Sequence, residues 1–438
     1  MADYLVTDIE LISIADAIRT KGGTSASLAF PSEFVSAIND IPTGIEPSGT
    51  VEISTNGLWN VTNYSLADVS VIDKTLIHSL ITRSIVEYSD STLSKMGRYA
   101  FAGCRSLTTV SLPQMSYVAS YAFVECVKLS EISLPRASYI GYAAFSSASV
   151  VNGSFASANS IHSYAFQSCT SLQTIYAPSV TNISAYAFYG CTRLSSVTFG
   201  KVSSIQSSAF YSCKSLTAFD FSSVTNISGL AFGYTGLTRV SAPLLTDLSI
   251  QCFTACSNLS EVSFPNITKI TGNYVFSSCS ALTYVNFPKL SSVNGTSVFY
   301  GCRGLQGASL DELSTLNGTG LFYYCVALSE ISLPLVDKIP SNTFLYCTSM
   351  TKATLGEATS SIYSAAFGQC NQLVSLYLPG SIVCKLGTTS NVFNKCPINS
   401  GGYSGIEGYV YVPSSLVDAY KAETNWAVIS SKILAIPE

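Results

Sequence analysis

Phe101-x-x-Cys104-x-x-Leu107-x-x-Val110-x-Leu112-Pro113 decides the fold, because the chain repeats it at once as Phe123-x-x-Cys126-x-x-Leu129-x-x-Ile132-x-Leu134-Pro135. The phenylalanine then returns as Phe145, Phe166, Phe188, Phe210, Phe232, Phe253, Phe276, Phe299, Phe322, Phe344, Phe367 and Phe393. Its gaps are 21 to 23 residues until the last, which is 26. A fixed period of this size marks a solenoid, in which every coil stacks on its neighbour. Within a copy, Val110-x-Leu112 reads as a short strand with one side chain out between two in. Stacked copies then make a parallel sheet on one face. Proline after the pair (Pro113, Pro135, Pro178, Pro265, Pro334) ends the strand where no ladder bond is needed. Ala-Phe begins a tighter turn on the opposite face, where a small alanine lets the chain approach the next coil. The fold class expected is mainly β, a solenoid with a parallel sheet, small N-terminal helical and β modules and a C-terminal capping helix.

The cysteines follow the same period. Of the fourteen, twelve stand three residues after a column phenylalanine, and only Cys252 and Cys384 lie off that ladder. Equivalent side chains on stacked coils point the same way. Coils about 4.8 Å apart bring them close, but parallel Cβ vectors give poor disulfide geometry. The column therefore reads as buried free thiols acting as small hydrophobes. With no C-x2-C pair and only His78 and His162 in the chain, no metal is expected. Ala148 and Thr235 replace the ladder cysteine in two coils. Three consecutive 23-residue gaps coincide with Thr271-Gly272-Asn273, Asn294-Gly295-Thr296 and Asn317-Gly318-Thr319, where an added residue with glycine points to a bulge.

Four segments are expected. Residues 1–45 hold two short helices: Thr7-x-x-Glu10 is a capping box, and Gly22-Gly23 stops the first helix. Residues 46–75 are a small β unit in which Asn56-Gly57 signals a hairpin. Residues 76–397 are the solenoid, with Arg83–Glu87 as an atypical first strand. Residues 398–438 are a cap: Tyr409-Val410-Tyr411-Val412 is a last strand, Ser414 onward a helix with serine as its N-cap, and Trp426 a cover for the final coil.

Composition limits function. Of 438 residues only 11% are charged and the net charge is −4, so the basic footprint that nucleic acid requires is missing. No 18-residue apolar run predicts a membrane span. The start, Met1-Ala2-Asp3-Tyr4, shows no basic region or apolar core of a secretory signal. Either retention in the cytosol or exit by another route is expected.

At this point the pattern Ala-Phe-x-x-Cys-x-x-Leu-x-x-Val-x-Leu-Pro, over roughly residues 80–397, resembles the BspA-like leucine-rich repeat. The close Val412-Pro413-x-x-Leu416-x-x-Ala419-Tyr420 with Trp426 is similar to the usual end of such arrays. That resemblance implies a bacterial surface protein that binds host proteins, other cells or glycans. A second one lies upstream. Ile14-Ala15-Asp16-Ala17-Ile18-Arg19-Thr20-Lys21-Gly22-Gly23 resembles a module of tail proteins from phages of gut bacteria. The β unit around Asn56-Gly57 is similar to units that accompany it. Together they imply a virion component that docks on other tail or baseplate proteins through residues 1–75.

No catalytic constellation is visible. His162 reads as a surface variant, and no phosphate loop or G-x-S-x-G occurs. Glu131 and Asp220 stand about four coils apart, roughly 19 Å at one strand spacing per coil, too far for paired glycosidase carboxylates. No cofactor is implied. Binding candidates are the outward strand positions: Tyr176, Asp220, Arg239, Glu261, Tyr284, Asn286, Glu330, Lys352 and Tyr377. Hydroxyls with scattered tyrosines suit sugars or a polar protein surface. A second tyrosine set, Tyr99, Tyr121, Tyr164 and Tyr186, precedes the phenylalanines on the other face. The expected function is a non-enzymatic phage tail-tip or fibre component that recognises a host-surface glycan or protein. The alternative is a bacterial surface adhesin of the BspA-like class, and a glycan-degrading tail spike is a third class. Homo-oligomerisation stays open.

Overall fold

A computed structural model describes residues 52–53, 59–60, 84–387, 389–399 and 402–437. The helices expected within residues 7–41 and the linker after them lie outside this set. Glu52–Ile53 pairs antiparallel with Trp59–Asn60, so the strands flanking Asn56-Gly57 do meet as a hairpin would bring them.

Most coils contribute a short strand at the equivalent position, Thr217–Phe221 being an exception. The chain divides into two compact units, one reaching Val180 and including Gly190–Gly200, the other formed by Thr181–Tyr189 and Lys201–Glu438. In the first, Glu87–Ser89, Thr109–Ser111 and Glu131–Ser133 form one parallel sheet, and Asn152–Ser154, Thr174–Ala177 and Ser196–Phe199 form another. In the second, Arg239–Ser241 pairs with Glu261–Ser263, and Tyr284–Asn286 pairs with Gly307–Ser309. Glu330–Leu333, Lys352–Leu355, Ser375–Tyr377, Tyr409–Val412 and Ile433–Ala435 then form a five-stranded sheet. Register is uniform: Thr109 opposes Glu131, Val110 opposes Ile132 and Ser111 opposes Ser133. With a side-chain period of two, that register sends every central residue inward.

A further sheet type was not anticipated. Two-residue strands such as Tyr117–Val118, Tyr139–Ile140 and Ser160–Ile161 pair in parallel a few residues after the outward strand of each coil. Asn182–Ile183, Ser204–Ile205 and Asn226–Ile227 do the same in the second unit. Their second residues, including Val118, Ile140, Ile183 and Ile205, are the buried ones.

The phenylalanine column is an internal file in each unit. Phe101, Phe123, Phe145 and Phe166 stack at 5.1–5.2 Å in the first. In the second, Phe276, Phe299 and Phe322 stack at 5.5 and 5.4 Å. From Phe123 to Phe393 the rings have 0% exposure. Burying each one stabilises its coil by about 1.5–3 kcal/mol. The backbone ties the same level together, since Phe123 N–H donates to Ala144 O at 2.7 Å and Phe299 N–H to Leu321 O at 3.0 Å. The thiols run alongside. Cys126 Sγ–H donates to Phe101 O at 3.1 Å, Cys191 to Phe166 O at 2.9 Å, and Cys325 to Phe299 O at 3.1 Å. All fourteen cysteines are buried and unbridged. The column is thus a ladder of weak donors to carbonyls one coil back, beyond the packing role expected of it. Where Thr235 replaces cysteine, its hydroxyl donates to Phe232 O at 2.9 Å within its own coil.

The turn around each phenylalanine uses left-handed backbone at ordinary residues. Tyr99, Tyr121, Tyr164 and Tyr186 sit two positions before it at φ 58–61°, and Glu125, Ser168 and Ser212 two positions after it at φ 56–60°. Each costs about 1–2 kcal/mol against right-handed backbone, a cost that the buried ring and ladder bonds offset. Two of the three 23-residue gaps show a bulge, in which successive amides share one carbonyl. Asn294 N–H and Gly295 N–H both donate to Ile270 O, and Asn317 and Gly318 both to Val293 O. Glycine is required there: a Cβ on Gly295 would stand 1.9 Å from Gly272 O.

The C-terminal end corrects one expectation. Ser414–Leu416 closes into a 3-10 turn, with Leu416 N–H donating to Pro413 O at 2.9 Å, so no serine caps the helix Val417–Ala422 that follows. A side-chain cap stands at the next short helix, Thr424–Ala427, where Glu423 accepts from Asn425 and Trp426 amides at 3.0 and 3.1 Å. Trp426 is fully buried and its Nε1–H donates to Cys384 O at 2.7 Å, which secures the expected cover. The strand expected at Arg83–Glu87 runs at Glu87–Ser89. Among the described residues, no helix is long and apolar enough to cross a membrane.

Candidate functional site

The inward strand positions face the core, and the outward rows carry the polar, charged and tyrosine side chains of the sheet. In the first unit one row is Glu87, Thr109 and Glu131, then Asn152, Thr174 and Ser196; the other is Ser89, Ser111 and Ser133, then Ser154, Tyr176 and Thr198. The small second row leaves an open hollow of about 340 Å³ lined by Thr109, Ser111, Glu131, Ser133 and Asn152. Tyr176 rises beyond the serines and is 47% exposed. Asn152 and Ser154 escaped the sequence reading because Gly153 holds the place of the inward valine. The signal was Phe155, two residues on, whose ring fills the space that a Cβ on Gly153 would enter, 2.7 Å away.

In the second unit the candidates fall into three groups. Arg239 and Glu261 are register partners; Arg239 Nε–H donates to Glu261 at 2.9 Å and its Nη2 closes the fork. Both are exposed, so this pair contributes at most about 1 kcal/mol. Tyr284 and Asn286 share one strand, opposite Gly307 and Ser309. Glu330 opposes Lys352, whose Nζ lies 5.4 Å from the Tyr377 ring centre, and Tyr377 stacks on Tyr411 at 4.7 Å. Tyr409 and Tyr411 extend both rows although 34 residues separate Tyr377 from Tyr411; the shared alternation with Ser375-Leu376-Tyr377-Leu378 was the available signal.

Asp220 does not stand where it was expected. Its coil, Thr217–Phe221, forms no strand, and Phe219 occupies the inward valine position with its ring only half-buried. Asp220 turns back on its own chain instead. The Ser222 amide donates to its Oδ1 at 2.9 Å and holds the carboxyl below the usual carboxylate range. His162 packs against Tyr139, ring centres 4.4 Å apart, and partial burial lowers its pKa. The second tyrosine set forms files of its own: Tyr99 stacks on Tyr121 at 4.8 Å, and Tyr142 links Tyr121 to Tyr164. Packing against one another uses these ring faces.

The buried thiols are unreactive in character. Burial pushes Cys169, Cys302 and Cys396 up to about 12. Thiolate, the nucleophilic form, is therefore scarce at neutral pH. Among the described residues no group of three or more His, Cys, Asp or Glu could hold a metal ion. What the rows offer chemically is hydrogen bonding, ring contact and scattered charge at a fixed pitch.

Comparison with known proteins follows that geometry. The model of the BspA type leucine rich repeat region matches residues 73–180, 138–259, 181–306, 244–347 and 295–399. A leucine-rich repeat protein from Bacteroides ovatus is similar at 21% identity and TM-score 0.44, over 81% of this chain and 85% of that one. A leucine rich cell surface protein from Faecalibacterium prausnitzii shows 20% identity and TM-score 0.38, over 68% and 80%. The pneumococcal vaccine antigen PcpA shows 14% identity and TM-score 0.36, over 80% and 83%. No curated protein matches its sequence.

Proposed function

We infer function from one premise, that this chain belongs to the BspA type leucine-rich repeat family. Its repeats build a binding surface, and we read it as a non-enzymatic adhesin of a bacterial cell surface. The observation that carries this reading is the register of the outward rows. Uniform pairing holds Thr, Ser, Tyr, Asn and charged side chains at one strand spacing, about 4.8 Å, while their neighbours are locked in the core. Such an array is pre-organised: binding needs little side-chain or backbone ordering, which is the main cost of association. The narrower reading, a phage tail-tip component docked through residues 1–75, rests on Ile14–Gly23 and the β unit after it. Gene neighbours encoding tail or capsid proteins would favour it.

The test uses fluorescently labelled whole protein on intact epithelial and bacterial cells, counted by flow cytometry. Replacing Tyr176, Tyr284 and Lys352 together by serine should reduce bound label at least tenfold. Replacing Tyr99, Tyr142 and Tyr164 together should leave it within twofold. Equal binding by wild type and the outward-row variant, or loss confined to the second variant, would overturn this assignment of the face.

A further inference from the structure

Tyr284 differs from the other outward tyrosines in what lies beneath it. Its register partner is Gly307, and a Cβ built there would stand 3.1 Å from Tyr284 Cε2 and 3.2 Å from Cδ2. The ring therefore lies down across the neighbouring strand, over a bare α-carbon. Equivalent positions in that row carry Arg239, Glu261, Glu330 and Lys352, any of which would prop the ring up. Gly307 has no positive φ, so its backbone does not call for glycine. Glycine inside a strand costs roughly 0.5–1 kcal/mol relative to alanine, and the seated ring is the one visible return on that choice. Tyr284 remains 54% exposed, and among the described residues no other ring contacts it. One ring face rests on the sheet and the other is open.

The surroundings choose the ligand. Asn286 follows on the same strand, exposed, with Ser263 one coil back and Ser309 opposite; Ser309 Oγ–H already donates to Asp311 at 2.7 Å, which leaves its lone pairs free to accept. Glu261 lies one coil before Tyr284 and Glu330 one coil after Gly307. Glu261 is paired with Arg239 and Glu330 faces Lys352, so the flanks present polar groups that accept from and donate to hydroxyls and no net charge to hold an ion. No apolar cluster surrounds the ring to make the dry centre a protein hot spot needs. An open π-face attracts the positively polarised C–H groups of a sugar ring. We propose that Tyr284, seated on Gly307 and flanked by Asn286 and Ser309, is a stacking subsite for an uncharged pyranose residue of a glycan. The proposal rests on the outward rows being the binding face and names the ligand class of one point on it.

The test is saturation-transfer difference NMR on the whole protein with methyl glycosides of β-glucose, β-galactose, α-mannose and β-N-acetylglucosamine, and with the methyl α-glycoside of N-acetylneuraminic acid as the charged control. At least one neutral glycoside should receive saturation at its ring protons, and the charged glycoside should receive at most a tenth as much. Tyr284→Ala should remove at least nine-tenths of the signal, Tyr284→Phe should keep at least half, and Gly307→Val should reduce it severalfold with an unchanged circular dichroism melt. No transfer to any neutral glycoside, transfer unchanged in Tyr284→Ala, or preference for the charged glycoside overturns the subsite. The cell-binding assay is read in parallel. Adhesion lost in the triple outward-row variant but retained in Tyr284→Ala would sink the subsite and leave the face standing.

Discussion

Replacing Phe299 by alanine should open the solenoid locally. The ring is fully buried, with Phe276 and Phe322 stacked on its two sides at 5.5 and 5.4 Å. Truncating a core phenylalanine costs about 3–5 kcal/mol. Two lost ring pairs, each about 0.5–1.5 kcal/mol, place this site toward the top of that range. Repeat stability is a sum of unit and nearest-neighbour terms, so the loss should be local. Native-state hydrogen exchange reads it directly. A loss of about 4 kcal/mol raises the opening constant roughly 10³-fold. That acceleration should appear at the amides of Phe276, Phe299 and Cys302, which donate to Val298 O, Leu321 O and Phe299 O. The amides of Phe188 and Phe210, bonded to Ala209 O and Ala231 O, should change by less than threefold. Equal acceleration at all five would refute nearest-neighbour stacking. No acceleration at any would refute the buried file.

Three further outcomes are expected. Gly295→Ala should cost at least 3 kcal/mol, because its Cβ would fall 1.9 Å from Gly272 O and backbone, not a flexible side chain, must yield; a urea midpoint within error of wild type would remove the bulge argument. Cys325→Ala should cost only about 1–2 kcal/mol, since Phe299 O still accepts from Cys302 N–H at 3.1 Å and Ala148 already serves this position in another coil. The same denaturation series checks it. Stability should also fall at alkaline pH. Folded thiols such as Cys169 and Cys302 are raised from 9.0 to about 12 by burial. Above pH 9 the unfolded chain loses thiol protons that the folded chain keeps, so stability drops by up to about 1.4 kcal/mol per pH unit per thiol. It is fully present below pH 9 and is lost progressively toward pH 12. Urea midpoints in reducing buffer that stay flat between pH 8 and 10.5 would contradict buried, protonated thiols.

How much was legible in the chain follows from which forces have a period. Inward files announce themselves, because a coil buries the same apolar positions each time and Phe, Cys, Leu and Val therefore recur at fixed spacing. The hydroxyl and tyrosine rows were legible by subtraction, as the residues between them. The two-residue strands such as Tyr139–Ile140 were not, since one inward residue makes no alternation. Left-handed turns at Tyr99 and Tyr121 were equally hidden: tyrosine carries no preference for positive φ, and coil-to-coil bonds impose it. Asp220 was misplaced because period alone cannot register that Thr217–Phe221 forms no strand and that Asp220 binds its own chain at Ser222. The seat of Tyr284 was not legible, since Gly307 looks like drift until the ring is seen above it.

Thiol accessibility tests the stacked, dry interior most directly. Whole protein under nitrogen, with a chromogenic disulfide reagent at pH 8, should release no more than one equivalent of chromophore in an hour while folded. Full unfolding in guanidinium should then release fourteen, one for every cysteine buried without a bridge. Rapid release of several equivalents from the native protein, or a shortfall in pairs after unfolding, would contradict the account.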